Sequence, residues 1–423
     1  MIQTGFSAAE ILLPHSKDLT RWSVAACDQY TSEPQYWQRV ESFVGAAPSA
    51  LRLVLPEVWL GQPDEQQRIE QIHRTMQAYL DNDQFELLPD SMIYLERTLA
   101  PGKVRHGLIG KLDLLCYDYA SDTKSLVRPT EGTVEDRLPP RIRVRQGAPL
   151  ELPHVMLLVD DPQQRLFGPL CARRDRLRKV YDFALMEQGG HAAGWQLDQT
   201  AIGGVQQALD ALYQDACADG TQNPLLFAVG DGNHSLATAK ACFEQLCSDL
   251  SPAEWMQHPA RWALVELVNL HDPSLQFEPI HRVLFGAQPQ PFLKALGRAH
   301  RLQELHDSQP PAAGVQQFTL LAHDQQRQFA ILDPCAALTV GTLQAFLDKY
   351  LAAQPQLRLD YIHGEDTMKR LCSQPDTIGL LLPPMRKETL FPSVQQDGVL
   401  PRKTFSMGHA QEKRFYLEAR SLT

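Results

Sequence analysis

Short, almost wholly apolar runs alternate along this chain with longer stretches in which apolar residues recur every third or fourth position. That alternation predicts an α/β protein in which strands buried on both faces are covered by amphipathic helices. Leu225–Val229, Val155–Val159, Trp262–Leu270 and Ile378–Leu382 read as buried strands. Ile93–Thr98 and Gly107–Leu115 read as a hairpin turning at Pro101-Gly102. Leu51–Pro56 reads as a strand, and Phe318–Ala322 and Gln328–Leu332 as two more. Helical spacing is clear in four sets: Ile69, Ile72, Met76 and Leu80; Val205, Leu209, Leu212 and Ala216; Leu236, Ala239, Phe243, Leu246 and Leu250; Leu343, Phe346, Leu347, Tyr350 and Leu351. Leu177, Val180, Tyr181, Ala184 and Leu185 predict a further charged helix from Arg173 to Glu187, ended by Gly189-Gly190. Three regions follow from this order: a strand-rich 1–120, a central core 121–286, and a C-terminal α/β region 287–423 beyond the Pro/Gln-rich Gly286–Pro291.

The stretch from Leu225 to Lys240 carries the strongest chemical signal. Its apolar run stops at Gly230-Asp231-Gly232, where glycine permits positive φ and a close backbone approach, and a helix then begins with Asn233 or Ser235 in capping range. Strand, glycine turn and helix entrance together aim free backbone N–H groups and the positive helix end at one point, which suits a phosphate. Asp231 can hold a metal or take a proton there, and His234 can donate to a phosphoryl oxygen. The same residues would also serve as an ordinary tight turn.

Three other segments bear polar groups without core periodicity. A short strand running into Asp28 precedes a helix opened by Glu33-Pro34. The span Ser125–Arg141 packs Arg128, Glu131, Thr133 and Arg137 into a few turns. It reads either as a solvated charged loop or as a site wall offering guanidinium donors and a carboxylate. His281 and Arg282 follow a proline turn, and the tail around Lys403-Thr404 is basic and hydroxyl-rich.

A net charge of −10 disfavours a nucleic-acid binder that relies on its overall field. The eight cysteines contain no CxxC pair, which fits a reducing cytoplasm. No stretch approaches eighteen apolar residues and no secretory leader is evident, so no membrane partner is expected. GxxxxGK[ST], HExxH, any Cys/His metal-ligand spacing, GxSxG and a GxGxxG after the first strand are all absent. P-loop ATPase, zinc protease and α/β-hydrolase chemistry are thereby disfavoured. A divalent ion, if held, would be Mg²⁺ on carboxylates and substrate phosphates.

Taken in order, these segments resemble the bacterial and archaeal domain-of-unknown-function family numbered one thousand and fifteen, sometimes labelled ParB-like. Asp231-Gly232-Asn233-His234-Ser235 stands where that family has an Asp-Gly-His-His-Arg-type box. Thr130-Glu131-Gly132-Thr133 with Asp136-Arg137, Asp272-Pro273-Ser274-Leu275 with Pro279-Ile280-His281-Arg282, and Lys403-Thr404 match its remaining motifs. The resemblance implies a mixed sheet with a ParB/sulfiredoxin-like phosphate-binding core spanning 121–286, carrying extra N- and C-terminal strand–helix layers. It also implies phosphoryl transfer on free serine or phosphoserine, similar to the archaeal free-serine kinase, with ADP or ATP as the nucleotide. In that reading Glu131 is the base, Asp231 holds Mg²⁺, and Gly230, Gly232, Asn233, His234 and Ser235 cradle phosphate. Because Asn233 and Ser235 replace the box histidine and arginine, Arg128, Arg137, His281 or Arg282 supplies donors, while Asp28, Thr133 and Lys403 face the substrate. A phosphoserine phosphatase shares this pocket. The rival reading is a non-catalytic nucleotide sensor or a ParB-like nucleic-acid regulator, and the oligomeric state is left open.

Overall fold

Leu264 and Val265 are neighbours in sequence, yet they pack into different cores, one on each face of a mixed sheet. The computed structural model describes residues 4–218, 221–305, 314–323 and 325–423. Its described residues divide into two units, one formed by 1–275 with 408–423 and the other by 276–407.

The first unit is built on β1 (Ile93–Ala100), β2 (Lys103–Asp113), β3 (Val127–Pro129), β4 (Val155–Val159), β5 (Arg178–Ala184), β6 (His191–Gln196), β7 (Phe227–Asp231) and β8 (Trp262–Asn269). They lie in the order β5-β6-β1-β2-β8-β4-β7-β3, and Phe6–Ser7 pairs with β2 off that path. Neighbours β8/β4 and β7/β3 run parallel, whereas β1/β2, β2/β8 and β7/β4 run antiparallel. The mixed α/β class predicted from the hydrophobic pattern is therefore the one observed. Strand alternation sends Ile93, Leu95, Ile109 and Leu264 to one face. There they meet Trp37 and Val40 of α1 (Pro34–Val44) and Ile69, Ile72 and Met76 of α2 (Glu65–Asp81). Tyr94, Val155, Leu157, Phe227, Val229 and Val265 go to the other face. That face is covered by α4 (Gln199–Ala216) and α5 (Asn233–Asp249), while the short α3 (Leu138–Arg145) leads into β4.

Two predicted elements differ. The helix expected from Arg173 to Glu187 is limited to a 3₁₀ turn at Arg174–Arg176, and the residues after it form β5, which makes a hairpin with β6 through Gly190 at φ 87°. Val180, Tyr181 and Phe183 favour a pleated strand, and pairing with β6 satisfies their backbone where helical spacing alone did not decide. Leu51–Pro56 contains a 3₁₀ turn at Ala50–Arg52 rather than a strand, because the Ser49 hydroxyl caps it by accepting from the Leu51 N–H.

In the second unit β9 (Phe277–Phe285), β10 (Leu302–Leu305), β11 (Gln316–Ala322), β12 (Gln325–Ile331), β13 (Arg358–His363) and β14 (Thr377–Leu381) follow the order β10-β12-β11-β14-β9-β13. One face packs on α6 (Pro289–Ala299) and α7 (Thr339–Ala352). His281 and Arg282 lie inside β9, not after a turn. Among the described residues no helix is long and apolar enough to cross a membrane.

Candidate functional site

Strand β7 delivers the glycine turn. Gly230 sits at a shift in the β7/β4 register, so Val229 faces Leu157 and Asp231 faces Met156. Gly232 follows at φ 80° and is itself the cap residue of α5, with no side-chain cap, so neither Asn233 nor Ser235 takes that role. The backbone N–H groups of the first turn are thus left for an outside acceptor. A Cβ at Gly232 would stand 3.0 Å from the Val155 Cα and 3.1 Å from the His154 Cδ2. Gly232→Ala should therefore destabilise the chain by about 2 kcal/mol from the left-handed backbone and the clash combined. Urea unfolding measures this, and an unchanged midpoint would show that the turn relaxes freely.

The parallel pairing of β3 with β7 carries the Thr130–Val134 segment to the same end of the sheet. Val127, Arg128 and Pro129 pair with Phe227, Ala228 and Val229, and the Thr130 hydroxyl donates to the Val229 carbonyl at 2.7 Å. Glu131, half-buried, comes next, at the strand end where Asp231 stands. The Val134 N–H donates to His234 Nε2 at 3.3 Å, which leaves Nδ1 as the proton-bearing nitrogen. Burial, reinforced by the charges of Arg141 and Arg137, pushes the His234 imidazole down to about 4, so it is neutral at pH 7. Two polar atoms at this entrance, Asn233 Oδ1 and Thr133 Oγ1, are buried with no hydrogen-bond partner.

A second set of groups meets the turn from distant parts of the chain. Asp28 Oδ2 lies 3.2 Å from His154 Nε2. The other ring nitrogen faces the Tyr416 hydroxyl at 2.5 Å and Cys27 Sγ at 3.8 Å. Burial opposes charge on both partners, but His154, Gln29 and Lys413 outweigh it and hold the Asp28 carboxyl far below its ordinary range. Burial likewise disfavours the His154 cation, but Tyr416 and Asp28 overcome it and raise the imidazole well above the usual histidine range. Glu57 pairs with Arg141, and its carboxyl is raised by burial, against the pull of Arg141. Lys413 Nζ stands 3.4 Å from Asp231 Oδ2. A cavity of about 150 Å³ opens beside them, lined by polar residues that include Glu57, Arg141, Glu151, His154, Ser235 and Tyr416 and by apolar side chains such as Leu55.

Of the residues predicted from sequence, Asp28, Glu131, Thr133, Asp231, Gly232, Asn233, His234 and Ser235 gather at this end of the sheet. Exposed Arg137 is near enough to bias His234. Arg128 is committed to structure, its buried guanidinium donating to the Ser125 and Asn223 carbonyls at 2.8 Å each. His281, Arg282 and Lys403 belong to the second unit. There the fully buried Arg282 donates to the Ile280, Lys403 and Arg402 carbonyls, and His281 Nδ1 accepts from the Leu382 N–H at 3.2 Å. Sequence reasoning did not single out Cys27, Glu57, Arg141, His154, Lys413 or Tyr416. Arg141 ended the arginine-rich span, and His154 directly precedes a buried strand, which were the available signals.

Fold and site together define a mixed α/β protein with a helix entrance that has no side-chain cap and is flanked by carboxylates and imidazoles. The family described as a protein of unknown function (DUF1015) matches residues 9–350, and the chain belongs to that family. Among solved structures the chain is similar to free serine kinase in complex with AMP, at 11% identity and TM-score 0.37 over 69% of this chain and 87% of that one. It is also similar to a conserved hypothetical protein from Pyrococcus furiosus, at 13% identity and TM-score 0.36 over 70% and 92%. A third is C-terminally truncated SbnI from Staphylococcus aureus, at 14% and 0.28 over 62% and 82%. No curated protein matches the sequence.

Proposed function

We propose that this end of the first unit's sheet is the active site of a nucleotide-dependent small-molecule phosphotransferase acting on free serine or phosphoserine. The observation that carries the reading is the uncapped entrance of α5 at Gly232, where open N–H groups coincide with the unpartnered Asn233 Oδ1 and Thr133 Oγ1. An anion satisfies the first set. A ligand ammonium or hydroxyl satisfies the acceptor of Asn233, as an amino-acid substrate would. The substrate pair, serine or phosphoserine with ADP or ATP, is the one implied by the resemblance noted above.

In the kinase direction Glu131 takes the proton of the serine hydroxyl as its oxygen bonds the terminal phosphorus, and the bond from that phosphorus to the nucleotide oxygen breaks. Neutral His234 donates through Nδ1, and Lys413 and Arg141 offset the charge of the moving phosphoryl group. Asp231, a one-fifth-exposed carboxylate at the strand end, fits Mg²⁺, which needs only one or two carboxylates beside phosphate oxygens. The bound ion would shield phosphate charge. Asp28 and His154, locked together, keep Tyr416 and the pocket wall in place.

The test is ³¹P NMR of the intact chain with Mg²⁺, first with phosphoserine alone and then with serine plus ATP or ADP. A phosphoserine signal that requires nucleotide is the expected result. Inorganic phosphate released from phosphoserine alone would make water the acceptor and the protein a phosphatase. Bound nucleotide with no turnover in any mixture would reject phosphotransfer and leave a sensor.

A further inference from the structure

A separate cluster lies at β1 and β2, which β8 and β4 separate from the glycine turn on β7. Glu96 of β1 and His106 of β2 are directly opposed in the antiparallel register. Cys171 reaches them from the helix Phe167–Arg173. One ligand atom from each lies within 4.8 Å of the others, and among the described residues no other trio of His, Cys, Asp or Glu side chains converges in this way.

The imidazole is aimed. His106 Nδ1 lies 2.9 Å from Asp272 Oδ2, and the His106 backbone N–H bonds the same oxygen at 3.0 Å. Asp272 is 3% exposed and is fixed in turn by the Ser274 N–H at 2.8 Å. The Tyr94 ring lies nearly parallel to the imidazole. With Nδ1 held, Nε2 is the nitrogen available as a ligand. A buried carboxylate behind a histidine is the arrangement that orients imidazoles toward metals and raises their basicity.

We propose that Glu96, His106 and Cys171 form a binding site for a zinc-type divalent cation, with Asp272 as the carboxylate behind the imidazole. One thiolate, one imidazole and one carboxylate make a mixed, borderline-soft donor set that suits zinc over magnesium or calcium and leaves a fourth tetrahedral position for water. Exposed Cys171 provides the way in. Arg174 donates to both Glu96 oxygens, at 2.7 and 2.8 Å, and its partly exposed guanidinium occupies the place of the cation's charge. Metal binding must turn it outward.

Co²⁺ titrated into the tag-free full chain reads the site directly. The expected spectrum at one equivalent has tetrahedral d–d bands and a thiolate-to-cobalt charge-transfer band, both bleached by Zn²⁺. Cys171→Ser should abolish the charge-transfer band. Asp272→Asn should weaken binding about 10–100-fold while keeping that band. Arg174→Ala, at a partly exposed position, should tighten binding. Seven other cysteines are present, so a charge-transfer band that survives intact in Cys171→Ser would overturn the proposal. Weak octahedral absorbance in the unaltered chain, or binding that Arg174→Ala leaves unchanged, would count against it equally.

Discussion

Under the proposed phosphotransfer, Glu131→Gln is expected to lower turnover by about 10²–10⁴-fold while leaving nucleotide affinity within about twofold, since it would remove the general base of that reaction. The expectation rests on position. Parallel pairing of β3 with β7 carries Glu131 to the strand end occupied by Asp231, one residue after a hydroxyl anchored on the Val229 carbonyl. Glutamine keeps the length and one acceptor oxygen, so the loop through Thr133 and Val134 should hold its bond to His234. His234→Gln makes the useful contrast. In the proposed mechanism it would remove a phosphate donor, so nucleotide affinity should fall along with rate. Stopped-flow phosphoryl transfer and calorimetric nucleotide binding on the two variants separate the roles. Full turnover in Glu131→Gln would remove it as base. The next carboxylate to test would be Glu57, whose pKa burial raises and which lines the adjoining cavity.

The legible and illegible parts of this site differ for a physical reason. Phe227, Ala228 and Val229 are fully buried, and a strand with no solvent face must be apolar throughout. Its end at Gly230-Asp231-Gly232 was therefore visible as a break in hydrophobicity. The hairpin β1/β2 was visible as apolar runs broken at Pro101-Gly102, and the helices α2, α4, α5 and α7 as buried stripes at helical spacing. Strand β5 was not, because apolar residues at 177, 180, 181, 184 and 185 satisfy helical spacing, and only pairing with β6 selects the strand. The outer ring of the site was hidden in another way. His154 and Tyr416 are 262 positions apart, and their contact depends on Phe415–Tyr416 pairing with Val24–Ala25. No local periodicity records such a pairing. The arginines misled for a related reason. Arg128 and Arg282 look like phosphate ligands in sequence, but each is spent on buried backbone carbonyls.

Glu266→Gln should cost about 3–5 kcal/mol at neutral pH, the largest stability loss expected of any conservative change here. Glu266 is 0% exposed in the middle of β8, with Arg414 at 2.8 Å and Arg105 at 3.5 Å, and Arg97 belongs to the same buried group. Gly107 makes the room, since a Cβ there would stand 2.6 Å from Glu266 Oε1. Glu418, bonded to Arg414 and to the Tyr181 hydroxyl, is the other carboxylate of the cluster. Amidation thus leaves three guanidiniums facing one carboxylate in the buried interior. The sign of the pH dependence follows from the direction of the shift. Burial disfavours the Glu266 anion, but Arg105 and Arg414 outweigh it, so the folded carboxyl titrates below its unfolded value of about 4.3. Its contribution is complete above that unfolded value and is lost as pH falls through the folded one. The gap between Glu266→Gln and the unaltered chain should therefore be widest at pH 7 and narrow below about pH 4. Urea unfolding at both pH values measures it, and a loss under about 1 kcal/mol at pH 7 would mean that water or a shifted arginine relieves the charge. The site should register the same change. Arg414 lies between Lys413, which pairs with Asp231, and Tyr416, which bonds His154, and Arg105 and Arg97 hold the Glu412 and Gln411 carbonyls just before them. Loosening this buried cluster frees the segment that carries both groups to the pocket, so, if the proposed nucleotide site is there, nucleotide affinity should weaken in Glu266→Gln although β4 lies between Glu266 and the glycine turn.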